Sequence, residues 1–161
     1  MGSLFDATDI VQFAVRVEEN GANFYRFAVQ LMKDDDAKKI FERLAEEELK
    51  HGKTFSQIFA AMEKTPPPPE SFAGEYAAYL RSYVDNAVIF RKDLLDKEMA
   101  LVKDTVSALD FGIRRELDSI NYYHEIKELL GPGNYDAVDK IIAEERKHFC
   151  ILTDLKAKFS K

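Results

Sequence analysis

The motif Glu-x-x-His occurs twice in this chain, at Glu48–His51 and at Glu145–His148. A further glutamate precedes each copy by about 30 residues, Glu18 before the first and Glu116 before the second. Residues three apart on a helix point the same way, so each motif can offer one metal ion a carboxylate oxygen and an imidazole nitrogen. Two such helices, with one glutamate from each of two more, make a dinuclear site. The sequence therefore predicts six metal ligands: Glu18, Glu48, His51, Glu116, Glu145 and His148.

Helix-breaking residues divide the chain into two helical hairpins joined by a long crossover. Helices are predicted over about 8–33, 37–64, 102–130 and 135–159. Asp34–Asp36 can cap the second helix, Pro66–Pro69 ends it, and Gly131–Asn134 separates the last two. The crossover, about 65–102, must carry the chain along the bundle so that helix three runs parallel to helix two. We therefore predict an all-α fold, an antiparallel four-helix bundle, formed as one domain by residues 1–161.

Each predicted helix has an apolar stripe, with steps of three and four residues, and the six ligand candidates lie in the middle of these stripes. Buried carboxylates are costly unless they are paired, and four of them together repel one another. Two divalent cations would balance four carboxylates, and neutral imidazoles would complete the coordination. The alternative is a metal-free buried polar network. The first stripe reads Val11, Ala14, Glu18, Gly21, Tyr25, Ala28 and Met32.

Other polar and aromatic residues are assigned ordinary structural positions. Four glutamates lie off the stripes and are expected to face solvent: Glu19, Glu46, Glu47 and Glu144. His124 is expected at the rim of the bundle and Cys150 on its surface. The crossover is expected to be partly helical around Tyr76, Tyr79, Leu80 and Tyr83, with these tyrosines packing it onto the bundle.

The two halves of the chain are similar in sequence beyond the ligands. Aligning Glu18 with Glu116 places Tyr25 and Tyr123 in equivalent positions, two turns after a ligand. Each phenol could donate a hydrogen bond to a ligating carboxylate or a bound water, or could simply be a core aromatic. Gly21 and Ser119 are also equivalent, and both are small. We expect them to leave room for the metals and an oxygen species.

Charge and cysteine content exclude several other classes of function. The formal net charge of -6 gives no electrostatic reason to bind nucleic acid or an anionic membrane. A single cysteine excludes an internal disulfide and a cysteine-bound zinc or iron–sulfur site, so a reducing compartment, the cytoplasm, is expected. No apolar run approaches the ~18 residues of a membrane span.

The chain resembles the rubrerythrin-like branch of the ferritin-like superfamily over essentially its whole length. The stretches that carry the resemblance are 45–51, 143–148, and Glu18 followed by Phe24-Tyr25. The resemblance implies a ferritin-like bundle with two iron ions, for which manganese or zinc could substitute. It further implies bridging carboxylates at Glu48 and Glu145, terminal ones at Glu18 and Glu116, nitrogen ligands at His51 and His148, and a ligand-contacting tyrosine at Tyr25.

Two differences from rubrerythrins affect the expected activity. Rubrerythrins also have a rubredoxin domain with four iron-binding cysteines, which this chain lacks. Electrons are therefore expected from an external donor protein. Rubrerythrins also carry another glutamate one turn after the ligand of helix three, which exchanges with a histidine as the redox state changes. Ser119 occupies that position here.

These features favour a non-haem di-iron oxidoreductase that reduces hydrogen peroxide. Ferroxidase chemistry with dioxygen is the second enzymatic hypothesis. The third is an iron-binding or sequestering protein without turnover, or a bundle that keeps metal only for stability. An enzyme would react repeatedly when supplied with a reductant, whereas a binder would react once. A symmetric homodimer is expected by default.

Overall fold

The computed structural model describes residues 7–64, 78–79, 82–83 and 92–160. The main helices within these residues are α1 (Ala7–Val29), α2 (Asp35–Lys64), α3 (Lys92–Met99), α4 (Thr105–Leu130) and α5 (Tyr135–Phe159). The prediction of an all-α four-helix bundle is confirmed, with α1, α2, α4 and α5 as its members. Among the helices within the described residues, none combines the length and the hydropathy of a membrane-spanning segment.

Side-chain caps and one glycine set the helix ends. Asp34 Oδ1 accepts a hydrogen bond from the Ala37 backbone N at 2.8 Å, so the predicted cap of α2 is present. Asp104 and Ser107 form a capping box at the start of α4, which explains why this helix begins at residue 105 and not at 102 as predicted. Gly131, with φ of 77°, ends α4, and the 3₁₀ turn Pro132–Asn134 leads into α5.

The bundle consists of two antiparallel hairpins, α1 with α2 and α4 with α5. Two hydrogen bonds between α1 and α4 show the relative direction of the two hairpins. The Tyr123 hydroxyl donates to Glu18, and the Tyr25 hydroxyl donates to Glu116. Residue numbers rise along α1 as they fall along α4, so these two helices are antiparallel. Helix α4 therefore runs parallel to α2, as the crossover predicts.

The predicted stripes form the interior of the bundle. One apolar cluster includes Val11, Phe55 and Ile142, and the other includes Phe41 and Leu109. The layer of buried glutamates and histidines lies between these clusters. All seven residues of the stripe predicted for the first helix are buried. The apolar clusters therefore hold the four helices together on both sides of the polar layer.

The crossover is described only in part. Residues 78–79 and 82–83 are helical, whereas Tyr76 and Leu80 lie outside the described residues. Tyr83 packs against the cluster that contains Val11, and Tyr79 is 45% exposed. Helix α3 was not singled out from the sequence, and it buries Leu95 against the opposite end of the core.

Candidate metal centre

The six predicted ligands converge in the middle of the bundle. The four glutamates are completely buried, and His51 and His148 are 3% and 1% exposed. Their ligand atoms form two groups, each lying within 4.8 Å: Glu18, Glu48, His51 and Glu145 in one, and Glu48, Glu116, Glu145 and His148 in the other. Glu48 and Glu145 belong to both groups, so their positions suit carboxylates that bridge two metals.

The histidines turn one specific ring nitrogen toward this cluster. His51 Nδ1 lies 3.0 Å from Glu145 Oε1, and His148 Nδ1 lies 3.0 Å from Glu145 Oε2. The rings stack at 21° with centroids 5.6 Å apart. The two Nδ1 atoms are therefore the nitrogens placed to meet metal ions.

The opposite ring nitrogens contact two glutamates that were expected to face solvent. His51 Nε2 donates to Glu144 Oε2, and His148 Nε2 donates to Glu47 Oε2, both at 2.8 Å. The side chains of Glu47 and Glu144 are 33% and 37% exposed. The prediction that these two face solvent is therefore only partly correct, because each also reaches across the gap between α2 and α5 to a histidine. Carboxylates in this position fix the tautomer and orientation of a metal-binding histidine.

Tyr25 and Tyr123 also cross between the hairpins. The Tyr25 hydroxyl donates to Glu116 Oε1, and the Tyr123 hydroxyl donates to Glu18 Oε1. Both tyrosines are completely buried. Each phenol therefore holds one oxygen of a terminal glutamate from the opposite hairpin, and the two halves repeat each other closely.

Arg115 breaks this near-symmetry, and its burial was not predicted from the sequence. Its guanidinium is 4% exposed and lies 3.4 Å from Glu48 Oε2 and 3.6 Å from Glu116 Oε1. Nη2 also donates to the Val17 carbonyl at 2.9 Å, and the group lies 5.7 Å from the centre of the Tyr25 ring. The equivalent residue of the first half is Val17. One wall of the candidate site therefore carries a buried positive charge.

Gly21 makes room for this arginine. A Cβ atom built on Gly21 would lie 1.7 Å from Arg115 Nη2, closer than atoms can approach. The expectation that Gly21 leaves space for the metals is therefore corrected, because the guanidinium fills that space. Ser119, its equivalent, is completely buried within the polar layer.

A surface opening between α2 and α5 leads to the two histidines. Its volume is about 370 Å³, and its lining includes the histidine rings with Glu47 and Glu144. Arg43, Lys50, Lys147 and Ile151 complete the lining. Small polar molecules and metal ions could reach the cluster by this route.

Comparison with known proteins agrees with this geometry. The family model described as Rubrerythrin matches residues 9–156. The chain belongs to the rubrerythrin family. A ferritin-like diiron-carboxylate protein from Thermotoga maritima has a similar structure, with a TM-score of 0.65, 27% sequence identity and 98% of each chain covered. No curated protein sequence matches the chain.

The four buried glutamates of this rubrerythrin-family chain fall into two pairs, one with raised and one with lowered pKa values. Burial, together with the neighbouring carboxylates, raises the pKa of Glu18 and of Glu116 well above the ordinary value. Burial acts in the same direction on Glu48 and Glu145, but Arg115 and the histidines outweigh it and lower the pKa of both. Without metal, the surroundings therefore favour the neutral form of Glu18 and Glu116 and the ionised form of Glu48 and Glu145.

The histidines take up the matching positive charge. Burial is the largest single effect and lowers the pKa of each ring. The carboxylates that accept hydrogen bonds from the rings, Glu145 with Glu18 for His51 and Glu145 with Glu48 for His148, together outweigh it and raise the pKa to about 12 for His51 and about 9 for His148. In the metal-free protein the two protonated histidines therefore supply positive charge where metal ions would otherwise supply it. Metal ions would replace these protons, since ligands must be deprotonated to bind.

The polar layer contains buried oxygen atoms that make no hydrogen bond and that a bound metal could coordinate. Within the residues described, no hydrogen-bond partner reaches Oε2 of Glu18, Oε2 of Glu116 or the Ser119 hydroxyl. A buried polar atom without a partner is costly, so these oxygens fit a site completed by something else. Mixed oxygen and nitrogen donors suit iron, manganese and zinc. The residues present therefore fit the two-metal centre expected of the family.

The remaining polar predictions agree with the structure. Glu19 and Glu46 are exposed, as are His124 and Cys150. The His124 ring lies 3.2 Å from Arg146 Nη2 at the surface. A sequence signal for Glu47 and Glu144 did exist, because each directly precedes the glutamate of a Glu-x-x-His motif.

Proposed function

We propose that this protein is a non-haem di-iron oxidoreductase that reduces hydrogen peroxide with electrons from an external donor protein. The observation that carries the proposal is the pair of matched ligand groups that share Glu48 and Glu145. Two metals bound this way would be close neighbours, as a two-electron reaction requires. We keep a cytoplasmic location and a homodimer as parts of the same hypothesis.

The chain's own residues would prepare the site for this reaction. Glu18 and Glu116 would each bind one iron, and Glu48 and Glu145 would bridge both. A bound diferrous pair would supply the two electrons that reduce peroxide to two waters, one from each iron. Glu144 and Glu47 would hold the Nε2–H groups of His51 and His148, leaving each Nδ1 free for metal.

Arg115 would make the loaded site attractive to anions. Among the fully buried groups, two divalent cations would balance four carboxylates, so Arg115 leaves an excess of one positive charge there; the carboxylates of Glu47 and Glu144 lie on the outer side of the histidines and are partly exposed. A hydroperoxide or hydroxide ion would restore neutrality. Since charges interact strongly in a buried environment, this excess favours anionic oxygen ligands over neutral ones.

The surface opening would give the substrate access to the site. It lies between α2 and α5 and is lined by the two histidines, so hydrogen peroxide would approach the cluster from the side of the histidine rings. Reduction of peroxide also consumes two protons. Burial raises the pKa of the Tyr25 and Tyr123 hydroxyls, so these groups would relay protons through their hydrogen bonds to Glu116 and Glu18 and would not be the source of the protons.

Repeated turnover tests the proposal. Protein purified without oxygen is analysed for metal, reduced, and mixed with peroxide in the presence of a chemical reductant. We expect two irons per subunit and many peroxide molecules consumed per site. A single reaction per site, with reductant still present, would instead identify an iron-binding protein.

Ferroxidase activity is the second candidate function, and the opening favours it. Glu47 and Glu144 place two carboxylates beside the entrance, where they could guide Fe(II) ions inward. In that case dioxygen would oxidise the diferrous protein as fast as peroxide does. Iron would also accumulate beyond two ions per subunit.

A further inference from the structure

The two candidate metal positions are alike in several contacts. We call the group Glu18, Glu48, His51 and Glu145 the His51 position, and the group Glu48, Glu116, Glu145 and His148 the His148 position. In each, the histidine Nδ1 lies 3.0 Å from Glu145, and Nε2 lies 2.8 Å from a partly exposed glutamate. In each, a buried tyrosine of the opposite hairpin donates to the terminal glutamate. These matched contacts favour neither position over the other.

Arg115 distinguishes the two positions. Its guanidinium lies 3.6 Å from Glu116 Oε1, and Glu116 belongs to the His148 position alone. It also lies 3.4 Å from Glu48, which both positions share. In the other half, Glu18 contacts the His51 ring at 3.6 Å and a tyrosine hydroxyl, and the residue equivalent to Arg115 is the uncharged Val17. The buried positive charge is therefore placed against the ligands of the His148 position.

The guanidinium is held in place on several sides. Nη2 donates to the Val17 carbonyl at 2.9 Å, and the group fills the space that a side chain at Gly21 would take. It also lies 5.7 Å from the centre of the Tyr25 ring. Arg115 is therefore not free to swing away from an arriving metal ion, and its repulsion acts on that ion.

The charges on the outer side of Arg115 do not cancel it. A cavity of about 100 Å³ between α1, α3 and α4 is lined by Arg115 together with Arg114, Asp118 and Glu98. Arg114 lies 3.4 Å from Glu98, and these two side chains are 65% and 35% exposed. Asp118 is half-buried. Solvent screens these groups more than it screens Arg115, whose side chain is 4% exposed, so the buried layer keeps the positive charge.

We propose that Arg115 makes the two metal positions unequal, so that the His51 position fills first and the His148 position binds its ion more weakly. An ion at the His148 position shares Glu48 and Glu116 with the guanidinium, whereas an ion at the His51 position shares only Glu48. Bringing a doubly charged ion a few ångströms nearer to another positive charge costs roughly tenfold in affinity at an effective dielectric constant of about 20. When metal is limiting, each subunit therefore holds one ion, at the His51 position.

The proposal deepens the proposed function, because it rests on the two-metal centre, but it does not depend on the reaction with peroxide. The probe is cobalt(II), which binds the same oxygen and nitrogen donors as iron and zinc and whose visible absorption reports its coordination. The full, metal-free chain is titrated without oxygen, in competition with a chelator. We expect two ions per subunit to bind in two steps, with dissociation constants about tenfold or more apart.

Variants of Arg115 show whether its charge separates the two steps. Repulsion between the two ions would itself separate the steps, so the comparison between variants is needed. Arg115→Gln removes the charge but keeps a polar side chain, and the ratio of the two dissociation constants should fall by roughly tenfold. Arg115→Lys keeps the charge and should retain the ratio, and so should Arg114→Gln, which removes the adjacent exposed arginine. The same ratio in Arg115→Gln as in the unmodified protein would overturn the proposal.

A second measurement locates the first ion in the unmodified protein and needs no variant. Crystals grown with one equivalent of cobalt(II) are measured for anomalous scattering at the cobalt edge. The signal should lie at the His51 position, and equal signals at both positions, or a stronger signal at the His148 position, would overturn the proposal. Circular dichroism checks that each variant of the titration is folded.

The outcomes for this proposal and for the proposed function can be told apart. Equal filling of the two positions by cobalt would overturn the proposal and leave peroxide reduction by a two-metal centre standing. Filling of the His51 position first, in a protein whose iron-loaded form does not consume peroxide, would overturn the proposed function and support the proposal. A chain that binds no cobalt would overturn both.

Discussion

Arg115 can enter the interior of this bundle only because residue 21 is glycine. The position that a Cβ atom of residue 21 would take lies 1.7 Å from Arg115 Nη2 and 2.1 Å from its Cζ. The guanidinium placed there contacts Glu48 and donates to a backbone carbonyl of α1. The lack of a side chain at Gly21 of α1 therefore makes room for the Arg115 guanidinium of α4 beside Glu48, a candidate bridging carboxylate.

We predict that Gly21→Ala destabilises the metal-free protein by about 3 kcal/mol or more. The methyl group would displace Arg115 and leave Glu48 without its partner, and breaking a buried ion pair costs roughly 3–5 kcal/mol. This loss exceeds the gain of up to about 1 kcal/mol that alanine gives over glycine in a helix interior. Chemical denaturation measures the difference.

The effect of Gly21→Ala on the free energy of unfolding should reverse in sign when Arg115 is replaced. In an Arg115→Leu background, Gly21→Ala meets no guanidinium and should be neutral or stabilising, which gives a clear coupling energy in the double-mutant cycle. Arg114→Leu, an adjacent arginine whose side chain is 65% exposed, is the control background. Equal effects of Gly21→Ala in all three backgrounds would show that the close approach does not matter.

Metal should stabilise the fold, since the ligands come from four different helices. At a free metal concentration a hundred times Kd, one bound ion contributes about 2.7 kcal/mol. Chelation should therefore lower Tm by roughly 5–10 °C for a chain of this size. Glu48→Gln combined with Glu145→Gln should reduce the loss, because it removes charges that the metal neutralises. Equal Tm values with and without metal would count against a buried site.

The sequence predicted the convergence of the six ligands because helical periodicity alone places Glu18, Glu48, Glu116 and Glu145 on apolar stripes. A charged residue within an apolar stripe lies on the face of the helix that packs against the core. Its burial therefore follows from its spacing of three or four residues from apolar neighbours. The same rule failed for Arg115, which lies beside a stripe residue. Its burial depends on the missing side chain at Gly21, on another helix, and that relationship cannot be read from the periodicity of α4.

Glu47 and Glu144 escaped prediction for a different physical reason. They lie at the edge of their stripes, where a long side chain can turn either to solvent or to a neighbouring helix. Their choice depends on the distance between α2 and α5 at the histidines, which is a property of the assembled bundle. Only their equivalent places in the two motifs could have indicated a shared role.

We predict that these edge glutamates strengthen metal binding. Glu144→Ala or Glu47→Ala leaves a ligating histidine without the acceptor that orients it, and such changes lower metal affinity by about 10- to 100-fold. Glu46→Ala removes an exposed glutamate one residue away and should have little effect. Competition with a chelator measures each affinity. Similar affinities for all three variants would mean that the Nε2 contacts do not hold the rings.

Metal binding should release protons and strengthen with rising pH. The folded pKa of His148 is about 9, above the ordinary 6.5, so in the metal-free protein its ring is protonated at neutral pH. Metal must displace this proton, and calorimetry in buffers of different ionisation enthalpy should detect its release. Proton uptake, or no proton change at pH 7, would contradict the assignment of His148 as a ligand.

The same shift predicts how the stability of the metal-free protein depends on pH. A pKa raised by folding contributes stability that is complete below the unfolded value and is lost as pH rises through the folded value. For His148 the loss should occur between about pH 6.5 and 9. The metal-loaded protein should lack this decline, because its histidine carries no such proton. Denaturation of both forms across this range checks the difference.

The last prediction concerns Ser119, which replaces the glutamate that exchanges with a histidine in rubrerythrins. Without that carboxylate we expect His51 to stay on its metal in both oxidation states, so the ligand sets should change little on oxidation. X-ray absorption of the reduced and oxidised forms compares the metal–ligand distances. A large change in the unmodified protein would contradict this expectation.

Restoring the carboxylate gives the matched variant. In Ser119→Glu the metal nearest His51 should shift toward residue 119 on oxidation, because the added anion stabilises the more positive oxidised centre. Burying one more carboxylate beside the glutamates of the polar layer is costly, so folding is checked first. Peroxide should still oxidise the unmodified diferrous protein faster than dioxygen does, since an O–O single bond needs only the two electrons that the pair holds. Rapid mixing with each oxidant decides this, and equal rates would favour the ferroxidase hypothesis.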